Sequence, residues 1–196
     1  MTLSAIRIGI VMFEDHPYGR CVIRKLIAAG FTPVISVEER SAVSAQRCKW
    51  YARQLALNNE IVPTVDEMRL GHSFDRVIVE DMNNDVTKKA LTDANLDVIF
   101  LGGAGIMQED VFSRARFGCL NTHPGMLPDI RGSLPVAQSI VRDIPLAVSL
   151  HRVTPVLDCG GWVHKMQIPI TREMKFEEVI TSSCHIAGDL FVYAAQ

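Results

Sequence analysis

The chain carries, just after a short apolar run, the stretch Asn121-Thr-His-Pro-Gly-Met-Leu-Pro-Asp-Ile-Arg-Gly132. The apolar run predicts a strand, and positions i and i+2 of a strand project to the same face, which is where Asn121 and His123 fall. Pro124 and Pro128 fix the backbone dihedral φ and stiffen the loop that follows. Acyl transfer needs such a pair, an amide donor for a developing oxyanion and an imidazole that can hold a proton.

A carboxylate follows the next predicted strand. Residues 146–153 have strand character, and Asp158 comes a few residues later in a loop bounded by Gly160 and Gly161. An Asn-x-His pair alone is more often part of an ordinary turn than of an active site. The carboxylate at a second strand end favours the catalytic interpretation, in which a third group orients the imidazole.

Together these residues resemble the signature of the formyltransferases that use 10-formyltetrahydrofolate. That family includes glycinamide ribonucleotide transformylases, methionyl-tRNA formyltransferases and sugar N-formyltransferases. The matching positions are Asn121, His123, Pro124, Leu127, Pro128, Arg131, Gly132, His151, Asp158 and Gly160. The resemblance implies that Asn121, His123 and Asp158 are catalytic and that no metal is needed. One departure is Gly125, where family members often carry serine.

The resemblance also assigns binding roles. The co-substrate 10-formyltetrahydrofolate would lie on two loops through backbone groups and apolar side chains of Leu101, Gly103, Ala104, Gly105, Ile106, Met107, Val156, Leu157 and Gly160. The acceptor would contact Glu14, Asp15, Arg20 and Arg131. His151 is expected to support Asp158 if its strand face looks toward the site, and to be structural otherwise.

The alternation of strands and helices predicts an α/β fold with a parallel sheet. Predicted strands cover residues 6–13, 31–37, 76–79, 97–101, 118–121, 146–153 and 162–170, and predicted helices cover 18–29, 41–57, 85–94, 108–115, 133–143 and 173–195. Residues 58–75 are left open. The expected architecture is one domain over residues 1–196, a Rossmann-like, mostly parallel twisted sheet flanked by helices, with an antiparallel strand near the C-terminus. Residues 102–105, 121–123 and 154–161 all lie at the ends of predicted strands. They would therefore converge at the carboxyl ends of the strands.

Apolar positions on these elements predict the core. It should contain Ile8, Ile10, Val11, Val22, Leu26, Val34, Ile35, Trp50, Leu57, Val79, Leu91, Ile99, Leu101, Leu120, Val148, Leu150 and Val163.

Composition narrows the classes of partner. The chain has 196 residues, is 48% hydrophobic and carries a net charge of −2, which is ordinary for a globular protein and does not predict nucleic-acid binding. Five dispersed cysteines without a C-x-x-C motif indicate reduced thiols and no zinc site. The longest apolar runs are too short to span a membrane. A cytoplasmic protein without nucleic-acid or membrane partners is expected, with a homo-oligomer left open.

Two motifs were weighed for other ligands. Gly103-Ala-Gly105 follows a strand, but Gln108 stands where a dinucleotide-binding motif has its third glycine, which disfavours NAD. Glu14 and Asp15 disfavour a phosphate at the first helix unless Arg20 compensates. That loop looks more like those of the sugar-formylating members. A tRNA acceptor is not expected, since no basic C-terminal extension follows.

The predicted reaction is formyl transfer to a primary amine of a small molecule, with amino sugar nucleotides as the first candidates. Two alternatives remain, a 10-formyltetrahydrofolate hydrolase and a non-catalytic folate- or nucleotide-binding module. The hypothesis gives the oxyanion two donors, the Asn121 amide and a protonated His123. A nearby Asp158 carboxylate is expected to raise the pKa of His123 and favour that charged form.

Overall fold

The computed structural model of the chain describes residues 6–196, so residues 1–5 of the predicted domain lie outside the described part. The elements are β1 (Ile8–Phe13), α1 (Pro17–Ala28), β2 (Ile35–Glu39), α2 (Ala42–Leu57), α3 (Val65–Gly71), β3 (Asp75–Val79), α4 (Asp85–Asp93), β4 (Val98–Leu101), α5 (Glu109–Phe112), β5 (Cys119–His123), α6 (Pro135–Val141), β6 (Ala147–Arg152), β7 (Trp162–Gln167) and α7 (Phe176–Ala195).

All of these strands belong to one sheet in the order β3-β2-β1-β4-β5-β6-β7. The first five strands of that order are mutually parallel, whereas β6 runs antiparallel to both of its neighbours. The predicted fold class, a mostly parallel α/β sheet with an antiparallel strand near the C-terminus, is therefore confirmed. Within residues 6–196, no helix combines the length and apolar character needed to cross a bilayer.

Each face of the sheet buries its own apolar cluster. Alternate residues of β1 divide between the two, because successive strand side chains point to opposite faces. Ile8, Ile10 and Met12 pack in the cluster that includes α1 and α7 residues. Val11 and Phe13 pack in the cluster that includes α4 and α5 residues.

Several predicted elements differ from the observed ones. The region left open contains α3, whose start carries a capping box in which Thr64 and Glu67 bond each other's backbone amides. The second strand begins four residues later and ends two residues later than predicted, since Pro33 has no N–H for the ladder. The helix predicted over 108–115 shortens to α5, and the one over 133–143 shortens to α6. Ser41 and Asn84 cap α2 and α4 through their side chains.

Three predicted core residues are exposed, and the prediction is wrong for them. Trp50 and Leu57 on α2 are 38% and 56% exposed, because α2 is an outer helix with few inward side chains. Val163 is 44% exposed, because β7 is the edge strand of the sheet. Val34 and Leu120 are half-buried, and the remaining predicted core residues are buried.

Candidate active site

Strand β5 presents Asn121 and His123 on one face, and the antiparallel β6 supplies a partner opposite each. The ladder pairs Asn121 with His151 and His123 with Ser149. Ser149 and His151 are 0% and 2% exposed, although both are polar. Because directly opposite residues of an antiparallel pair share a face, these four side chains form one polar surface on the sheet.

Asp158 reaches this surface from the loop 153–161. Its Oδ2 atom is 3.5 Å from His123 Nδ1, and its Oδ1 atom is 3.6 Å from His151 Nε2. The Gly132 amide donates a 2.9 Å hydrogen bond to Oδ2 and so orients the carboxylate. The structure thus brings Asn121, His123, His151 and Asp158 together.

The route by which Asp158 arrives differs from the expected one. Because β6 is antiparallel, its carboxyl end lies beside the start of β5, where Val153 N bonds to Cys119 O. The loop must therefore fold back over the sheet face. Asp158 adopts a left-handed backbone conformation (φ 51°) in this loop. Gly160 allows the close return, since a Cβ there would lie 1.8 Å from the Arg152 carbonyl oxygen. The site lies on the face of β5 and β6 rather than only at strand ends.

His151 holds the Asn121 amide in one orientation. His151 Nδ1 lies 3.0 Å from the Arg152 carbonyl oxygen, which can only accept, so this nitrogen carries the hydrogen. His151 Nε2 is then an acceptor, and it lies 3.1 Å from Asn121 Nδ2. The second N–H of that amide remains available to a ligand. Burial lowers the pKa of His151 and keeps it in this neutral form.

His123 has a similar geometry on its own side. Its Nε2 lies 3.1 Å from the Ile130 carbonyl oxygen and therefore donates, which leaves Nδ1 facing Asp158. The expected rise in the pKa of His123 is not found. Burial lowers this pKa below the usual 6.5, and the opposing effect of Asp158 is smaller. The neutral ring is the favoured form.

Gly125 sits against the His123 ring. A Cβ at this position would lie 2.9 Å from His123 Nε2 and 2.8 Å from a methyl carbon of Ile130. The absence of a side chain at position 125 is therefore coupled to the position of the imidazole.

The loop after β4 presents backbone groups. The amides of Ala104, Gly105 and Ile106 donate no hydrogen bond within residues 6–196. Asn83 fixes this loop, since its side chain donates to Ile106 O at 3.1 Å and accepts from Gln108 N at 2.7 Å. No local sequence pattern points to this role of Asn83, because its partners lie beyond the next helix.

Apolar side chains divide into two groups at the predicted folate loops. Ile106, Val156 and Leu157 are 76%, 63% and 54% exposed and offer an apolar wall. Leu101 and Met107 are buried in the core, so only their backbone groups remain for a ligand, contrary to the expected side-chain contact.

The predicted acceptor residues of the first loop are engaged within the chain. Glu14 pairs with Arg40, with contacts of 2.7 and 2.5 Å. Asp15 accepts from Val65 N at 2.9 Å, and Arg20 donates to Val62 O at 2.9 Å. Arg131 is exposed.

A lone histidine without ligand spacing is by default a surface residue or a hydrogen-bonded structural one, and His16 is of the second kind. It is 2% exposed, and its Nδ1 accepts from Tyr18 N at the start of α1. Burial lowers its pKa to about 3.

Comparisons with known proteins point to one family. A family model described as formyl transferase matches residues 22–194. Methionyl-tRNA formyltransferase of Rickettsia typhi is 24% identical over 156 residues, which are 79% of this chain and 50% of that protein. The chain spans about half the length of the curated relatives it matches.

Two solved structures show the same fold. Glycinamide ribonucleotide transformylase 1 from Symbiobacterium toebii superposes with a TM-score of 0.73 at 15% identity, covering 100% of this chain and 90% of that chain. A sugar N-formyltransferase from Shewanella sp. FDAARGOS_354 superposes with a TM-score of 0.65 at 16% identity, covering 97% and 68%.

Proposed function

The chain belongs to the formyl transferase family, and on that premise we propose that it transfers a formyl group from 10-formyltetrahydrofolate to a primary amine of a small molecule. The observation that carries the proposal is the meeting of Asn121, His123 and Asp158 over one face of β5. Asn121 and His123 come from one strand and Asp158 from a separate loop, and a purely structural turn has no need of their convergence.

The proposed reaction gives each of the three groups a separate role. The amine nitrogen attacks the formyl carbon, whose oxygen becomes an oxyanion that receives the free N–H of the Asn121 amide. His123 Nδ1 accepts the proton that the nitrogen loses. The imidazolium so formed lies beside Asp158, and it returns the proton to the folate nitrogen as the carbon–nitrogen bond to folate breaks.

The lowered pKa of His123 assigns the ring a different role from the one expected from the sequence. A neutral ring with hydrogen on Nε2 has its lone pair on Nδ1 and is ready to act as a base. Asn121 is then the principal oxyanion donor. Asp158 stabilises the charge only once the proton has been taken up.

The loops after β4 and β6 suit the co-substrate. A pterin needs backbone donors and acceptors on one edge and apolar surface on its faces. Ala104 and Gly105 offer the first, and Ile106, Val156 and Leu157 offer the second.

The loop between β1 and α1 limits the kinds of acceptor molecule that can bind. An anion at a helix start uses free backbone N–H groups, but Pro17 has none and the Tyr18 N–H bonds His16. His16 is neutral, so it adds no positive charge. Arg20 is already engaged, since it lies 3.9 Å from Asp15 and donates to Val62 O. We therefore propose an acceptor that places no phosphate at this loop, which leaves amino sugar nucleotides as the first candidates.

The test is a panel of amines supplied with 10-formyltetrahydrofolate, with release of tetrahydrofolate as the readout. Glycinamide riboside and its 5′-phosphate form a matched pair within the panel, and amino sugar nucleotides are included. We expect release to depend on an amine and to gain nothing from the added phosphate. His123→Ala should abolish release, whereas His72→Ala, an exposed histidine, should not.

Two outcomes would replace the proposed reaction, and a third would replace only the acceptor class. Release without any amine would indicate a hydrolase. Folate binding without release would indicate a binding module. A large gain from the phosphate would contradict the acceptor class while leaving the formyl transfer intact.

A further inference from the structure

Three side chains lie in a row across the last three strands of the sheet. The ladder pairs His123 on β5 with Ser149 on β6, and Ser149 with Lys165 on β7. Directly paired residues share a face, so all three point toward the loop 124–130 that follows β5. The row joins the edge of the sheet to the imidazole of the proposed site.

Each member of the row bonds a different part of that loop. His123 Nε2 donates to Ile130 O at 3.1 Å. Ser149 Oγ donates to Gly125 O at 2.7 Å and accepts from Leu127 N at 3.2 Å. The Lys165 ammonium donates to the Leu127 carbonyl oxygen. Ser149 is fully buried, so its hydroxyl has no competing solvent contact.

The loop in turn orients both ionisable partners of the site. Ile130 O receives the hydrogen of His123 Nε2, and two residues later Gly132 N donates to Asp158 Oδ2. A carbonyl oxygen can only accept, so the hydrogen of the neutral ring must stay on Nε2 as long as Ile130 O keeps its place. Nδ1 is then the atom that exchanges a proton.

Lys165 reaches the loop from an otherwise exposed strand. Its ammonium lies 4.6 Å from the centre of the Trp162 ring, which covers it on one side. A cation over an aromatic ring is attracted by the ring's negative face, so the lysine is held in this position from two directions. Neighbouring residues of β7 are exposed, which leaves this contact as the link between the edge strand and the site.

We propose that Ser149 and Lys165 are positioning residues that fix the tautomer of His123, by holding the loop 124–130 so that Ile130 O always faces Nε2. The part that concerns proton exchange at Nδ1 rests on the proposed function. The part that concerns the tautomer stands on geometry alone.

The direct test is nitrogen-15 NMR of the histidine rings in the full chain, with the His123 signals assigned by their loss in His123→Asn. The wild-type protein should show a single tautomer with hydrogen on Nε2. Lys165→Met and Ser149→Ala should each mix the two tautomers. Lys165→Arg, which keeps a cationic donor, should restore the wild-type signal, and Lys89→Met, at an exposed lysine, should change nothing.

A kinetic readout accompanies the spectra. In Lys165→Met and Ser149→Ala we expect kcat to fall roughly 10-fold, a fraction of the 10²–10⁴ that a positioned base contributes, with KM for folate nearly unchanged. The acid limb of the pH–rate profile should also move. A variant that merely loosened the fold would lower the denaturation midpoint without moving that limb.

The outcomes separate the two proposals. Wild-type tautomer and wild-type pH profile in both variants would overturn the positioning role. If Ser149→Ala does not fold, Lys165→Met, on the exposed strand, gives the same answer. If the protein transfers no formyl group to any amine, the NMR result still decides the tautomer, and only the proposed function fails.

Discussion

The parallel and antiparallel parts of the sheet bury polar groups in different ways. In the parallel part, Glu38 on β2 is fully buried and its carboxylate receives hydrogen bonds from Ser36 Oγ, Asp15 N and two Arg76 nitrogens. In the antiparallel part, His123 Nδ1 faces Asp158 across 3.5 Å with no donor between the two in the described residues. The Glu38 carboxylate therefore has its hydrogen-bond donors, whereas a proton can still be added between His123 Nδ1 and Asp158.

This difference indicates where a catalytic site can form in this fold. Strand β2 is covered on both faces, so its buried polar groups, Ser36 and Glu38, are paired within the protein. Reversal of β6 lets mid-strand residues lie directly opposite Asn121 and His123. Asn121 and His123 therefore each lie opposite a buried polar residue of β6, His151 and Ser149.

The largest expected effect comes from a substitution beside the buried Glu38 carboxylate. Arg76→Met leaves the Glu38 carboxylate buried without its guanidinium, which should cost about 3–5 kcal/mol of unfolding free energy. Urea denaturation measures this loss. Asp66→Asn removes a largely exposed partner of the same arginine and should cost less than about 1 kcal/mol. Equal losses in the two variants would contradict the burial argument.

The second largest effect is expected from substitutions at the proposed catalytic residues. Asn121→Ala removes the proposed oxyanion donor and should lower kcat by about 10²–10³ while the denaturation midpoint changes little. His123→Ala should be no less damaging, and Asp158→Asn should keep the shape but lose the charge. Because the groups act together, a double variant should lose far less than the product of the single losses. Near-normal transfer in all three single variants would refute the mechanism.

A third change tests how closely the imidazole is packed. Gly125→Ser places a Cβ within 2.9 Å of His123 Nε2, so the ring must shift. We expect a loss of about 1–3 kcal/mol in unfolding free energy together with a lower kcat. Gly71→Ser, where a Cβ meets no atom within 4 Å, is the matched control. Unchanged kcat in Gly125→Ser would show that the ring tolerates displacement.

The pH dependence of the unfolding free energy tests whether His16 takes up a proton in the folded state. Burial lowers the pKa of His16 to about 3 in the folded state, so only the unfolded chain takes up this proton near the usual 6.5. Stability from this residue is full above pH 6.5 and is lost as the pH falls toward 3, by up to about 1.4 kcal/mol per pH unit.

His16→Asn tests that dependence, because it keeps a helix-capping acceptor but cannot titrate. Its unfolding free energy should fall less steeply below pH 6.5 than that of the wild-type protein, with urea midpoints measured at several pH values. Parallel slopes would show that His16 is already accessible to protons.

The smallest expected effect concerns the loop after β4. Asn83→Ala removes two hydrogen bonds from the loop 103–108 and should raise KM for 10-formyltetrahydrofolate by roughly 2- to 10-fold, with a smaller change in kcat. Asn58→Ala, at the end of α2, should leave KM unchanged. A selective fall in kcat would place Asn83 in another role.

The sequence predicted those features that depend on neighbours along the chain. Alternation along β5 placed Asn121 and His123 on one face, and the order of strands and helices predicted the sheet. The Thr64-x-x-Glu67 signature of α3 was also present in the sequence, so that helix could have been predicted.

Features that depend on packing were beyond the sequence. Trp50 and Val163 have the periodicity of core residues, but only the final layers decide that α2 and β7 are outermost. The sign of the pKa shift of His123 depends on burial by the loops 124–134 and 153–161, and no local pattern measures that burial.

The fold-back of the loop 153–161 has a consequence for insertions and deletions. Gly160 is wedged against the Arg152 carbonyl while Asp158 contacts two histidines, so both ends of a very short span are fixed. One residue more or fewer would move the carboxylate by about the 3.3 Å rise of an extended residue, which is as long as the contact itself. Chains that keep this chemistry should therefore vary in length elsewhere and keep this loop at constant length.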